Sequence, residues 1–177
     1  DLHSFPTRRS SDLEIMYSHP EKDLIIPFDL LPSYACRCMF VNCSNLTRPP
    51  RLLATRLDNY CYQEMFNGCT NLQTAPELPA TTLATGCYNY MFSRCYSLTE
   101  SPILLAETLV SNCYQGMFNA CSSLNKITCL ATNVSATNYT TNWTNGVAAT
   151  GVFVKNYSNN SWTTGTSGIP TGWTVIG

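Results

Sequence analysis

The sequence predicts an α/β solenoid, a stack of short coils that each supply one extended and one helical segment. Three observations carry this. Met39-Phe40, Met65-Phe66, Met91-Phe92 and Met117-Phe118 recur at a constant period of about 26 residues. A cysteine follows each pair at a fixed offset: Cys43, Cys69, Cys95, Cys121. A leucine follows each cysteine at a second fixed offset: Leu46, Leu72, Leu98, Leu124. Self-similarity at a period of about 20–50 residues marks stacked-repeat architecture. In such a stack each repeat buries its apolar face against its neighbours rather than in a central core.

The helical segment is read from Leu83 to Phe92. Leu83, Cys87 and Met91 fall at i, i+4 and i+8, one face of a helix. Phe92 lies beside that stripe, so Phe40, Phe66, Phe92 and Phe118 are expected inside, with the cysteine and leucine columns. The extended segment runs from Leu98 to Leu104, with its counterpart from Leu72 to Leu78. Pro50, Pro76 and Pro102 form a column within it. Proline cannot donate to a strand ladder, so each should mark an irregular or bulged position. Equivalent strands lie side by side and parallel, with helices on the opposite face.

Both ends depart from the repeat. Ile26-Pro27 stands one period before Leu52-Leu53, so Asp23-Leu24-Ile25-Ile26-Pro27 reads as the strand of a partly lost repeat. After Ser122 the pattern degenerates. Trp143 follows Met117 by one period, and Val147 follows Cys121 by the same interval. Residues 133–147 are therefore predicted as a divergent helical segment, followed by strands at 151–154 and 173–176. The organisation is repeats over 14–132 and a degenerate repeat with a C-terminal cap over 133–177. Residues 1–13, Asp1-Leu2-His3-Ser4-Phe5-Pro6-Thr7-Arg8-Arg9-Ser10-Ser11-Asp12-Leu13, resemble the translation of a common sequencing adapter. They are expected to be disordered, with the natural chain starting near Glu14 and cut from a longer gene.

The core phrase Phe66-Asn67-Gly68-Cys69-Thr70-Asn71-Leu72 resembles the BspA-like leucine-rich repeats of bacterial surface proteins. Pro76-Glu77-Leu78-Pro79-Ala80-Thr81-Thr82-Leu83-Ala84 is similar to the variant abundant in gut anaerobes. Gly168-Ile169-Pro170-Thr171-Gly172-Trp173-Thr174-Val175 is similar to their C-terminal cap. The resemblance covers about residues 24–177. It implies a right-handed leucine-rich-repeat solenoid, export to the cell surface or beyond, and no catalytic residue. Ala35 departs from the pattern where other repeats have Cys61, Cys87 and Cys113. Cys38 departs where they have Glu64, Tyr90 and Gly116.

Composition narrows the function. Charged residues make up 12% of the chain and the net charge is −1. No basic patch points to nucleic acid or an anionic membrane. No apolar run approaches the roughly 18 residues of a spanning helix. Ten cysteines admit three readings: buried thiols, a disulfide framework or a metal site. Cys43, Cys69, Cys95 and Cys121 share one repeat position and so stack about 4.8 Å apart, pointing the same way. A disulfide wants Cβ atoms about 3.8 Å apart and suitably angled, so stacking favours buried thiols acting as small hydrophobes. Cys36-Arg37-Cys38 is tighter than a zinc knuckle, and His19, outside the adapter-like arm, is distant in sequence from the repeated cysteines. No cofactor is expected.

Carboxylates are scarce. Glu107 is the last acidic residue, and Glu77 and Glu100 occupy different offsets, so paired acid–base chemistry has no support. Tyr62, Tyr88 and Tyr114 form a column. It is either an exposed stripe suited to carbohydrate or protein, or a cover over the joints between helices with hydroxyls in water. On the strand side Arg51, Glu77, Ile103 and Cys129 share one position, and Thr47, Gln73, Thr99 and Asn125 another. Because side chains alternate across a strand, Arg51, Gln73, Glu77 and Thr99 are the candidate binding face. The reading is a non-enzymatic, monomeric surface or secreted protein that binds a host or microbial protein or glycan. The alternative is a structural spacer carrying a domain lost upstream.

Overall fold

The computed structural model describes residues 24–159 and 161–177. The chain is a parallel β-solenoid whose coils repeat about every 26 residues. Its coils run over residues 24–47, 48–73, 74–99, 100–125 and 126–151 and are closed by 152–177. Strands β1 (Ile25–Ile26) and β2 (Leu30–Leu31) lie in coil 1, and β3 (Arg51–Leu52) and β4 (Arg56–Leu57) in coil 2. β5 (Glu100–Leu104), β6 (Lys126–Cys129), β7 (Val152–Lys155) and β8 (Thr174–Ile176) follow. β1 pairs parallel with β3, Ile25 opposite Arg51, and β2 with β4, Leu30 opposite Arg56. The remaining four strands form one parallel sheet in the order β5-β6-β7-β8. The partial repeat at the start and β7 thus fall where the period places them; β8 lies where the sequence places a last strand but pairs at a shorter offset, Val152 opposite Thr174. The adapter-like residues 1–13 and the start of the partial repeat, 14–23, lie outside the described residues.

Proline's expected irregularity is present. β5 pairs Glu100 with Lys126 but Ile103 with Thr128, a register shift that encloses Pro102. That shift corrects one expected column: Thr128, not Cys129, shares the Ile103 position, and Cys129 pairs with buried Leu104.

The expected helices are absent among the described residues, so the α/β class is corrected to all-β. The segments 33–42, 59–68, 85–94, 111–120 and 137–146 are chains of turns. Along each, N–H groups alternate between two acceptors. In coil 1, Ala35, Arg37 and Val41 donate back to Pro32, Tyr34 and Cys38, three positions earlier. Cys36, Cys38, Phe40 and Asn42 donate instead to Cys61, Gln63, Met65 and Asn67 of coil 2, at 2.8–2.9 Å. The same alternation joins coil 2 to 3, 3 to 4 and 4 to 5. A helix would send every N–H to residue i−4 and leave nothing for the next coil. Every fourth residue takes positive φ: Tyr60, Glu64 and Gly68 in coil 2, Gly86, Tyr90 and Arg94 in coil 3. Left-handed residues cannot propagate a right-handed helix. A four-residue turn repeat buries i, i+4 and i+8, as a helix does, and over so short a segment the two patterns coincide.

The interior is built of identical residues in register. Phe40, Phe66, Phe92 and Phe118 stack with centroids 5.4–5.9 Å apart. Tyr62, Tyr88 and Tyr114 stack beside them at 5.8–6.0 Å. Such pairs contribute roughly 0.5–1.5 kcal/mol beyond the area they bury. Trp143 ends both columns, stacked on Tyr114 and tilted against Phe118, and Trp162 stacks on its far side at 5.5 Å. The Trp143 Nε1 donates to Gly168 O at 2.8 Å.

The tyrosine column is not an exposed stripe: all three rings are 1% exposed. Neither are the hydroxyls in water, since Tyr62 Oη and Tyr88 Oη are buried without a hydrogen-bond partner. The closed stack leaves their ends inside, at a cost of about 1–3 kcal/mol per unpaired group.

The cysteine column has a specific role. Cys69 Sγ donates to Phe40 O at 3.0 Å, Cys95 Sγ to Phe66 O at 3.2 Å, and Cys121 Sγ to Phe92 O at 2.9 Å. Each thiol therefore ties its coil to the one before. Cys43, at the start of the column, is only half-buried, which corrects the expectation that all four are enclosed.

Candidate functional site

The strand face presents its side chains in fixed rows. Arg51 points outward from β3 while Leu52 points into the core. Across β5 to β8, Ile103, Thr128, Val154 and Ile176 form one row, and Glu100, Lys126, Val152 and Thr174 another. Lys126 Nζ lies 3.1 Å from Glu100 Oε2, an exposed pair. Arg51, Gln73, Glu77 and Thr99, the four residues expected on this face, are all exposed. The backbone brings some of their columns together: Gln73 N donates to Thr47 O at 3.3 Å, and Asn125 N to Thr99 O at 3.0 Å. No backbone hydrogen bond links Gln73 with Thr99, so the four do not form one continuous patch of ladder.

Sequence reasoning missed the apolar part of the face. Ile103 is 56% exposed and Ile176 53%, with Leu53 and Leu105 also exposed. Their signal was present, since Ile103 and Leu105 alternate with buried Pro102, Leu104 and Ala106. Alternation places one set outside whatever its hydrophobicity.

The groups that could carry chemistry are dispersed. Among the described residues no group of three or more His, Cys, Asp or Glu is placed to hold a metal ion. Burial pushes the thiols of Cys36, Cys61, Cys69, Cys113, Cys121 and Cys129 up to about 12. Cys87 and Cys95 are pushed up further by burial and by neighbouring thiols. The thiolate is the reactive species, so these groups stay protonated and inert near neutral pH. Cys38 is the exposed cysteine. Its pKa too is raised, first by partial burial and then by Glu64, against the opposing influence of Arg37.

Between coils 3 and 4 lies an open depression of about 550 Å³, lined by Thr81, Thr82, Leu105, Glu107, Thr108 and Val110. No helix among the described residues is long and apolar enough to cross a membrane. No protein-family model, no curated protein and no solved structure matches this chain.

Proposed function

We propose that this is a non-enzymatic repeat protein, displayed on a cell surface or secreted, that binds a protein or glycan across its strand face. The observation that carries the reading is the row of half-exposed apolar side chains held in register, Ile103 and Ile176 above all. Exposed apolar groups rimmed by polar ones favour a partner, and Glu100 and Lys126 of the same sheet supply a polar edge. Rigid strands hold these side chains in place before binding, so little ordering entropy is lost. The resemblance of the repeat phrases to BspA-like surface proteins agrees with this reading.

The test is an array of extracellular proteins and glycans, followed by affinity measurement with Ile103→Lys and Ile176→Lys. Both residues are more than half exposed, so stability should change by no more than about 0.5 kcal/mol, while affinity should fall at least tenfold. A partner bound equally by wild type and both variants would place the interface elsewhere. A chain that binds nothing on the array overturns the reading and favours the spacer alternative.

A further inference from the structure

The strand side of coil 3 differs from that of every other coil. At the corner joining coils 1 and 2, Thr55 N and Arg56 N both donate to Asp29 O, at 3.1 and 3.0 Å. At the corner joining coils 4 and 5, Thr132 N and Asn133 N both donate to Glu107 O, at 2.9 and 3.0 Å. Thr81 holds the equivalent position in coil 3, and its carbonyl accepts no backbone hydrogen bond. Among the described residues, no backbone hydrogen bond joins 74–83 to the coil on either side. Pro76 and Pro79 stand in this segment, and each removes a donor.

The turn side shows no such break. Gly86 N and Tyr88 N reach Ser111 O and Cys113 O at 3.0 and 3.1 Å, and the Cys121 thiol ties coil 4 to coil 3. Coils 3 and 4 are therefore pinned along one side and unladdered at the other, where the depression lies.

We propose that this notch is a glycan subsite that takes a hydroxyl-rich sugar ring; the proposal rests on the binding function above. The notch is lined by Thr81, Thr82 and Thr108, which carry hydroxyls, and by Glu107, which carries a carboxylate; the Thr81 carbonyl, whose counterparts Asp29 O and Glu107 O accept from the following coil, accepts no backbone hydrogen bond. Leu105, 39% exposed, forms an apolar wall. Sugar hydroxyls both donate and accept, so they pair with the threonine hydroxyls in either sense and donate to the unpaired Thr81 carbonyl. A carboxylate accepts from two neighbouring hydroxyls at once. The C–H face of a ring suits an aliphatic wall. The volume of about 550 Å³ falls within the roughly 300–1,000 Å³ of small-ligand pockets. A lysine ammonium has three donors and no acceptor, so it would pair with Glu107 and nearby oxygens but leave the threonine hydroxyl protons without an acceptor and the Leu105 wall uncovered.

The experiment presents the full chain to immobilised neutral hexose and N-acetylhexosamine oligosaccharides, with a lysine-bearing decapeptide as second probe. Binding of an oligosaccharide is expected. Glu107→Gln should weaken it at least tenfold, and Thr82→Tyr, which fills the notch, should abolish it. Both variants should melt with wild type, because these side chains are exposed. Oligosaccharide binding by both variants at wild-type affinity overturns the site. Preference for the peptide, or no binding of any sugar, overturns the ligand class. Loss of the sugar with Ile103→Lys while both notch variants keep it overturns the notch and leaves the strand-face reading standing. A protein partner lost with Ile103→Lys, with no sugar bound, does the same.

Discussion

Alkaline pH is the sharpest probe of this architecture, because the core is lined with thiols that cannot ionise in place. Cys36, Cys61, Cys69, Cys87, Cys95, Cys113, Cys121 and Cys129 are all buried. Burial raises each above its ordinary value of 9.0, six of them to about 12 and two further. A group whose pKa is raised by folding stabilises the fold fully below its unfolded pKa. That contribution is lost as pH rises from the unfolded value toward the folded one. Each thiol therefore leaves stability untouched below about pH 8. By about pH 10 the unfolded chain has gained roughly 1.4 kcal/mol per thiol by ionising. Eight such groups together reach on the order of 10 kcal/mol, comparable with the roughly 5–15 kcal/mol that holds a typical domain together. The solenoid should unfold cooperatively near about pH 10, refold on return to pH 7, and release several protons in the transition. Circular dichroism against pH under reducing, oxygen-free conditions gives the midpoint and the steepness. Replacing Cys95 and Cys121 by alanine should flatten the transition. A fold that persists at about pH 11, or a transition as shallow as one ionisation, would refute the argument.

Three further outcomes are expected. Phe92→Ala removes a ring stacked on both sides and should cost about 3–5 kcal/mol, read from the denaturant midpoint. Gly86 sits at φ 60°, and a Cβ there would overlap the Tyr60 ring; Gly86→Ala should cost at least about 1–2 kcal/mol from the left-handed backbone alone, partly recovered in the double variant with Tyr60→Ala. Thiol labelling of the native chain should modify exposed Cys38 first and leave Cys69, Cys95 and Cys121 untouched until denaturant is added, as mass mapping of labelled peptides will show.

The exposure of the candidate residues was legible. Arg51 sits outward because strand alternation is local, Glu77 is exposed between buried Pro76 and Leu78 although its segment forms no strand, and Thr47 meets Gln73 because a fixed period stacks equals on equals. The notch was not legible. It depends on which N–H groups of 74–83 find acceptors in coils 2 and 4, and no motif within the segment reports that. Pro76 and Pro79 marked irregularity without saying that the ladder would open on both sides.

The turn segments mark the boundary between what the chain states and what its folding decides. The period, the partial first repeat, the parallel strands and the columns of Phe, Cys and Leu were determined by the sequence, since identical residues at one interval can only stack. The choice between helix and turns was not determined by the burial pattern, because a repeat of 4 and a repeat of 3.6 place the same residues inside over so few positions. A local hint existed in Gly68, Gly86, Gly116, Asn42 and Asn112, residue types that tolerate positive φ, yet Tyr60, Glu64, Tyr90, Arg94 and Ala120 take the same conformation without that tolerance. What holds them there is the neighbouring coil: Phe40 N, Phe66 N, Phe92 N and Phe118 N each donate to a carbonyl one coil on, all at 2.9 Å. A helix would have spent those donors within the segment. The turns become favourable only when the next coil is present to accept them, and that choice belongs to the tertiary structure.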